Sequence, residues 1–424
     1  MALQANRHLF PRALFLDIAF DVILIPALVL VSWAFERTPA GNALMRAAYE
    51  REQGRLGSKP QQIAVVDISS LTPVPDASGK LVTPRQKLTE LLNALAVDEP
   101  AAIGVDVNFC PEEDGQFVSS QDPQFFETCA KLESPKHQKI PVFVGFSADE
   151  DRNPSPLIDN KQFGRLAATI FLCEDTRRLP LWIEYGPTAA PSLCSALAAQ
   201  VASPQGPTWW PEWLAEAEFG PTCEKGPAAE FLADYSALDA LETHDYTVHS
   251  SDPATIRNLG KEEHFFRGKV VLLGDTKLNK ALDTFIVLTR VGQGPVPGVY
   301  IHACGVNTLL TGRIHELTHV GRAVIDIGLS LLALALVTAI RMRHREEAAT
   351  ERIKVMVAYL FVLILIASVG VIASYLRLLW IDFYIVLIVL VAHPFVVPQL
   401  RDAYSVLVEV LKVIFSHRDK THGG

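Results

Sequence analysis

The chain has 424 residues, which exceeds the usual size of a single domain, so more than one structural unit is expected. Its formal net charge of −9 argues against a general nucleic-acid binder, because such a domain is usually basic. The hydrophobic fraction of 49% is ordinary, but the apolar residues are unevenly distributed. Four segments are nearly free of charge, and the long stretch between the first two has the mixed composition of a soluble protein.

Each of the four apolar segments has the roughly 20 residues that a helix needs to cross a membrane. No small-residue cleavage site follows the first one, which favours an uncleaved anchor over a signal peptide. The sequence therefore predicts four transmembrane helices in a lipid bilayer, at residues 13–35, 320–340, 355–376 and 379–398.

Basic residues predict the orientation of these segments. Residues 341–354, between the second and third segments, are rich in Arg and Lys, whereas the next connection is far less basic. By the positive-inside rule, this loop and both termini (residues 1–12 and 399–424) are cytoplasmic, and residues 36–319 lie outside. The predicted location is the bacterial inner (plasma) membrane, multi-pass, with a periplasmic main domain.

All six cysteines fall within the predicted external domain. An even number of cysteines on one side of a membrane suggests an oxidising compartment and structural disulfides, although buried free thiols are the alternative. Cys304 lies in a helix-like run and is expected to be unpaired. The candidates for disulfides are Cys110, Cys129, Cys173, Cys194 and Cys223.

Alternating strands and helices predict an α/β domain between residues 36 and 319. Short aliphatic runs, which are typical of buried parallel strands, occur at residues 63–67, 103–107, 140–144 and 270–275. Helical spacing of leucines predicts a helix after the first strand, with Thr83 as N-cap and Pro84 at its first position. Further helices are predicted at residues 122–132 and after Pro297.

The predicted fold class is therefore a mostly parallel sheet flanked by helices, plus the four transmembrane helices. Residues 145–262 contain many prolines and predict a loop-rich insertion in the α/β domain.

Three predicted strands end in an aspartate, at Asp67, Asp106 and Asp275. In open parallel sheets ligands bind beyond the carboxyl ends of the strands, so these carboxylates are candidates to hold a cation or a polar ligand. The alternative is that each aspartate caps the turn that follows it. Asp283 and His302, which come later in the chain, complete the candidate ligand-binding set.

No catalytic residue, metal or cofactor is predicted. The sequence has no glycine-rich loop ending in Lys-Ser/Thr, no His-Glu-x-x-His and no Gly-x-Ser-x-Gly. His302 and Cys304 could bind zinc, but a structural zinc site needs four ligands and no paired motif supplies the others. An enzyme acting through the strand-end aspartates is thus the least favoured function.

Two further features are candidates for contact with a partner. Trp209, Trp210 and Trp213 suit an interface with a protein or a membrane surface, or pack against the sheet instead. In the last segment, apolar residues at helical spacing, including Leu407, Leu411 and Phe415, form one helix face. This face could bind a partner or a second copy of the chain, or lie on the inner leaflet.

Several segments, taken in order, resemble the extracytoplasmic sensor domains called CHASE, type two. The resemblance covers about residues 40–317, and the arrangement of one apolar segment before and three after is also similar. It is carried by VVDISSL at 65–71, TPR at 83–85, GVDVNF at 104–109, EDTRRLPL at 174–181, GKVVLLGD at 268–275 with Asp283, and PGVYIHA at 297–303.

The family places this domain on receptors, ahead of cytoplasmic cyclase or kinase domains. After the last apolar segment only residues 399–424 remain here, too few for a catalytic domain. We therefore expect a receptor that signals through a separate cytoplasmic or membrane protein. The alternative is a structural or accessory subunit of a larger membrane complex.

Overall fold

The structure is a computed structural model, and the chain divides into two compact units, residues 49–316 and residues 1–48 with 317–424. It describes residues 30, 34, 38–53, 60, 62–76, 79, 81–109, 119–134, 139–146, 164–172, 176–185, 188–201, 215–216, 229–278, 284–289, 292–343, 348–375, 378–379 and 406.

The helices and strands alternate through most of the described chain. The helices are α1 (Pro39–Glu52), α2 (Arg85–Leu95), α3 (Asp122–Glu133), α4 (Leu193–Val201), α5 (Leu238–Leu241), α6 (Pro253–Glu263), α7 (Gly298–Thr311), α8 (His319–Arg343) and α9 (Ala348–Tyr375). The strands are β1 (Ile63–Asp67), β2 (Val74–Pro75), β3 (Leu81–Val82), β4 (Ala102–Val105), β5 (Val142–Phe146), β6 (Ala167–Thr169), β7 (Arg178–Tyr185), β8 (Thr188–Pro191), β9 (Ala215–Glu216), β10 (Ala229–Leu232), β11 (Thr247–Val248), β12 (Val270–Gly274), β13 (Thr284–Thr289), β14 (Gly292–Pro297), β15 (His315–Leu317) and β16 (Leu378–Leu379).

A six-stranded sheet in the order β11-β1-β12-β4-β5-β6 forms the centre of the unit 49–316, and all its pairs are parallel. Both faces are buried, as continuous aliphatic runs require. In β1, Ala64 and Val66 belong to the core on one face, whereas Ile63 and Val65 belong to the core on the other. The predicted parallel α/β architecture is thereby confirmed.

The two faces of the sheet are covered differently. Helices α2, α3 and α6 pack on one face. Helices α4 and α7 pack on the other, and the antiparallel sheet β10-β7-β8 packs on these helices in turn. Gly305 of α7 shows this contact, since a Cβ there would lie 2.9 Å from Leu179 Cδ1 of β7. Helix α7 is therefore enclosed between two sheets.

One detail of the α/β prediction needs correction. Helix α2 begins at Arg85 with Pro84, not Thr83, as its N-cap, and it has no side-chain cap because proline has no hydrogen-bonding side chain. The Thr83 carbonyl accepts a hydrogen bond from Arg85 Nη1 (3.1 Å). The described residues of the region 145–262 include α4, most of α6 and the strands of the antiparallel sheet.

The prediction of four transmembrane helices is wrong. Within the residues that the structure describes, no helix has both the length and the apolar character to cross a membrane. Residues 320–340 lie in α8, whose first half buries the polar side chains of Arg322, Asp326 and Ser330. Residues 355–376 lie almost entirely in α9, whereas segments 13–35 and 379–398 fall almost entirely outside the described residues.

The structure does not support the disulfides predicted for Cys129 and Cys194. Both are buried free thiols, as is Cys304, which was expected to be unpaired. Burial raises the pKa of Cys194 to about 11 and that of Cys304 well above its ordinary value, so both thiols stay protonated. The other candidates, Cys110, Cys173 and Cys223, lie outside the described residues.

Candidate functional site

The structure brings the three strand-end aspartates to one edge of the central sheet. Asp67 ends β1, Asp275 follows β12 and Asp106 follows β4. Because β12 lies between β1 and β4, the carboxyl ends of these strands are side by side. We call this region the strand-end edge.

Two of these aspartates also shape the turns that follow their strands. Asp67 accepts hydrogen bonds from the backbone N–H (2.8 Å) and the hydroxyl (3.0 Å) of Ser69. Asp275 Oδ1 accepts one from the N–H of Lys277 (2.8 Å). Asp67 and Asp275 therefore both cap the turns that follow their strands, which was the alternative to ligand binding. Both carboxylates are partly exposed and can still accept further hydrogen bonds.

His249 adds an imidazole to the strand-end edge that the sequence analysis did not identify. It follows the two-residue strand β11, whose Val248 pairs with Val66 of β1. His249 Nδ1 consequently lies 3.9 Å from Asp67 Oδ2, and its ring contacts that of His244 at a centroid distance of 5.2 Å. A two-residue edge strand gives almost no periodic signal, which explains why it was missed.

Helix α7 brings His302 beside Asp106. His302 Nε2 lies 3.9 Å from Asp106 Oδ1, and both side chains are almost fully buried, at 2% and 4% exposure. Burial lowers the pKa of His302 to about 4, outweighing a hydrogen bond with the backbone of Ile170 that acts in the opposite direction. His302 is thus neutral at physiological pH, beside an acidic side chain.

Close packing fixes the first turn of α7 against the strand-end edge. A Cβ at Gly274, the last residue of β12, would lie 2.5 Å from Val299 Cβ and 3.3 Å from Asp106 Cβ. Only glycine leaves room for the helix at this distance. The next residue, Tyr300, interacts with Thr247 and Thr276, and burial raises the pKa of its hydroxyl despite the hydrogen bonds with those threonines.

Arg85, from the motif TPR, forms a buried ion pair near the start of α2. Its Nε donates to Asp122 Oδ1 of α3 at 2.5 Å, and both side chains are at most 2% exposed. The guanidinium carbon lies 4.0 Å from the centre of the Phe109 ring, which suits a cation–π contact. Asp122 Oδ2 also accepts from Ser119 N–H (2.9 Å), so this arrangement joins α2, α3 and the loop after β4.

The described residues contain no group of three His, Cys, Asp or Glu side chains that could hold a metal ion. The strand-end edge is instead rich in acceptors, with Asp67, Asp106 and Asp275 on adjacent strand ends and the neutral His302 beside Asp106. Such a surface favours a ligand with cationic or hydrogen-bond donor groups. The remaining candidates lie outside the described residues: Asp283, Trp209, Trp210, Trp213, Leu407, Leu411 and Phe415.

Comparison with known families decides what kind of domain this is. A family model described as the CHASE2 domain matches residues 23–340, well over half of the chain. The chain belongs to the CHASE2 domain family. No curated protein and no solved structure matches it.

Membership of the CHASE2 family confirms the resemblance found in the sequence. CHASE2 domains are extracytoplasmic sensor domains, so a sensor role and participation in signal transduction agree with the family. The motif residues also explain the site, because VVDISSL, GVDVNF and GKVVLLGD form the three adjacent strands β1, β4 and β12 and their aspartates.

Proposed function

We propose that the chain is a periplasmic sensor that binds a cationic or donor-rich small ligand at the strand-end edge and signals through a separate partner protein. The observation that carries the proposal is the placement of Asp67, Asp106 and Asp275 on three adjacent strand ends of a CHASE2 domain. Ligands of open parallel sheets bind at this position.

The chemistry of the strand-end edge supports the ligand class. His302 carries no charge above a pH of about 4, so it does not neutralise Asp106 under physiological conditions. Asp67 and Asp275 are partly exposed, so a ligand can reach their oxygens from solvent. Because the turns after β1 and β12 are held by hydrogen bonds to these same carboxylates, ligand binding would alter the turns directly.

Thermal unfolding of the purified chain tests the ligand site. We expect spermidine, or a cationic fraction of a periplasmic small-molecule extract, to raise the Tm, since a ligand at 100 times its Kd stabilises by about 2.7 kcal/mol. Asp275→Asn should abolish the shift, because it removes the charge of a partly exposed carboxylate at the strand-end edge. Asp239→Asn, an exposed aspartate on α5, is the matched control and should retain it. An equal response of the two variants, or no stabilising fraction at all, would contradict the proposal.

The separate partner is inferred from the family. CHASE2 domains are sensor domains, so we infer that this domain passes its signal to another protein. Native purification followed by mass spectrometry tests this inference. Recovery of a cyclase, a kinase or a response regulator would support signalling. A stoichiometric multi-subunit assembly without such a protein would favour the accessory-subunit alternative.

A further inference from the structure

Helix α7 has a buried polar contact at each end of its enclosed segment. Near its start, His302 lies beside Asp106 at the strand-end edge. Near its end, Thr308 Oγ1 accepts a hydrogen bond from the N–H of Asp234 (2.8 Å) and donates one to the Cys304 carbonyl (2.8 Å). His302 and Thr308 are six positions apart, or about 9 Å along the helix axis at 1.5 Å per residue.

The contact at Thr308 belongs to a short buried stretch, Ala233–Tyr235, which we call the junction segment. The Ala233 carbonyl accepts hydrogen bonds from the hydroxyl of Tyr49 and from Gln53 Nε2 (3.2 Å). The N–H of Tyr235 donates to Gln53 Oε1 (2.5 Å). The junction segment therefore holds α7 on one side and the chain at the end of α1 on the other.

All these groups are shielded from water. Tyr49, Gln53 and Thr308 are at most 2% exposed, and Asp234 is 2% exposed. Buried polar groups are costly when they lose their partners, so these hydrogen bonds are kept together rather than exchanged for water. A displacement of Thr308 would consequently displace the junction segment and, with it, Tyr49 and Gln53.

Helix α7 is also packed too tightly to absorb a displacement by bending. A Cβ at Gly305 would lie 2.9 Å from Leu179 Cδ1 and 3.0 Å from Cys194 Cβ, and Val299 leaves no room for one at Gly274. Dense packing of this kind transmits strain instead of dissipating it. The helix is thus expected to shift as one body between its two sheets.

From this geometry we propose that α7 couples the strand-end edge to the end of α1 through the junction segment. A change at His302 shifts α7, and the Thr308–Asp234 contact passes that shift to Tyr49 and Gln53. This inference rests on the proposed function in one respect only, namely that ligand binding at the strand-end edge is what moves the helix. The coupling itself is a property of the unliganded protein, and by linkage it must act in both directions.

Hydrogen–deuterium exchange of the purified full chain, without ligand, tests the coupling. Thr308→Val keeps the shape of the side chain but removes the acceptor for the Asp234 N–H. We expect exchange in peptides covering residues 49–53 to rise about tenfold, because a buried donor is left unsatisfied. In the opposite direction, Tyr49→Phe should raise exchange at residues 300–306 by about threefold, the loss of one hydrogen bond.

Two controls keep the experiment decisive. Ile256→Val, in α6 on the opposite face of the central sheet, weakens the core without touching α7 and should leave both sets of peptides unchanged relative to the rest of the chain. Thr308→Ser retains the hydroxyl and should behave like the wild type. If Thr308→Val fails to fold, Tyr49→Phe still tests the coupling in the opposite direction.

The coupling is overturned if the effects of Thr308→Val remain within residues 233–236 and 304–312, or if Ile256→Val reproduces them. Either result leaves the ligand test at Asp275 unaffected. Conversely, failure of every ligand to bind would not alter the exchange behaviour of these variants. The proposed function and the coupling can therefore fail separately.

Discussion

Helices α2 and α7 cover opposite faces of the same sheet, but they differ in how much of their surface is buried. Helix α2 has solvent on its other side and buries one stripe of residues: Arg85, Leu88, Leu91, Leu92, Ala94 and Leu95. Helix α7 lies between two sheets and is buried at every position from Gly298 to Leu309. A helix with one buried stripe packs against one layer, whereas a helix that is buried on all sides packs against two.

The polar side chains of the two helices differ in the same way. On α2 the buried polar residue is Arg85, a charge that is fully paired with Asp122 and holds two helices together. On α7 the buried polar residues are the neutral His302, Asn307 and Thr308. Of these, His302 lies beside Asp106 at the strand-end edge and Thr308 contacts the junction segment. Under the proposed function, the α2 face is the scaffold of the domain, and the α7 face contains the side chains that respond to the ligand.

The largest effect is expected from breaking the ion pair on the scaffold face. Asp122→Ala leaves the Arg85 guanidinium buried without its partner, and we expect a loss of about 3–5 kcal/mol in the free energy of unfolding. Urea-induced unfolding followed by circular dichroism measures this loss.

The exposed pair of Lys87 and Glu90 on the same helix provides the matched control for that variant. Their side chains are 51% and 36% exposed, and Glu90→Ala should cost less than about 1 kcal/mol. A loss below about 1 kcal/mol for Asp122→Ala as well would show that Arg85 does not hold the scaffold face together.

A smaller, pH-dependent effect is expected on the α7 face. The pKa of His302 is about 4 in the folded protein, below the value of 6.5 for a free histidine. Between pH 6.5 and 4 the unfolded chain therefore binds a proton at this residue that the folded chain does not. The free energy of unfolding should fall as the pH falls through this window, by up to about 3 kcal/mol from this residue.

His302→Gln separates this contribution from that of all other groups. The difference between wild type and variant, measured by urea unfolding at pH 7, 6, 5 and 4.5, should shrink steadily as the pH falls. A constant difference across the series would mean that His302 has the same pKa in the folded and the unfolded chain, and would contradict its burial as a neutral group.

The contrast between the two helices also explains which parts could be predicted from sequence. Helix α2 was predicted to within one residue because its leucines recur at helical spacing. The four aliphatic runs likewise correspond to β1, β4, β5 and β12, shifted by at most two residues. Both signals are local, since they depend only on which side of an element faces the core.

The parts that were not predicted depend on contacts between distant residues. The order of strands places β12 between β1 and β4, which the chain order does not reveal, and β11 is too short to recognise. The contacts of Ala233 with Tyr49 and Gln53 span about 180 positions and follow no motif. The transmembrane prediction failed for a related reason, because apolar composition alone does not distinguish a span from a helix that buries polar residues such as those in α8.

The smallest effect is expected from filling the gap where α7 meets its second sheet. Gly305→Ala places a methyl group against Leu179 and Cys194, which are at most 1% exposed and have no space to withdraw. Overpacking costs about 1–3 kcal/mol, and the better helix propensity of alanine returns about 1 kcal/mol, so we expect a net loss of about 1 kcal/mol. Gly328→Ala on α8, where a Cβ meets nothing within 4 Å, should instead be neutral or stabilising. If both variants were more stable than the wild type in urea unfolding, α7 would be loosely packed on that side. A loosely packed helix could not transmit a shift from His302 to the junction segment.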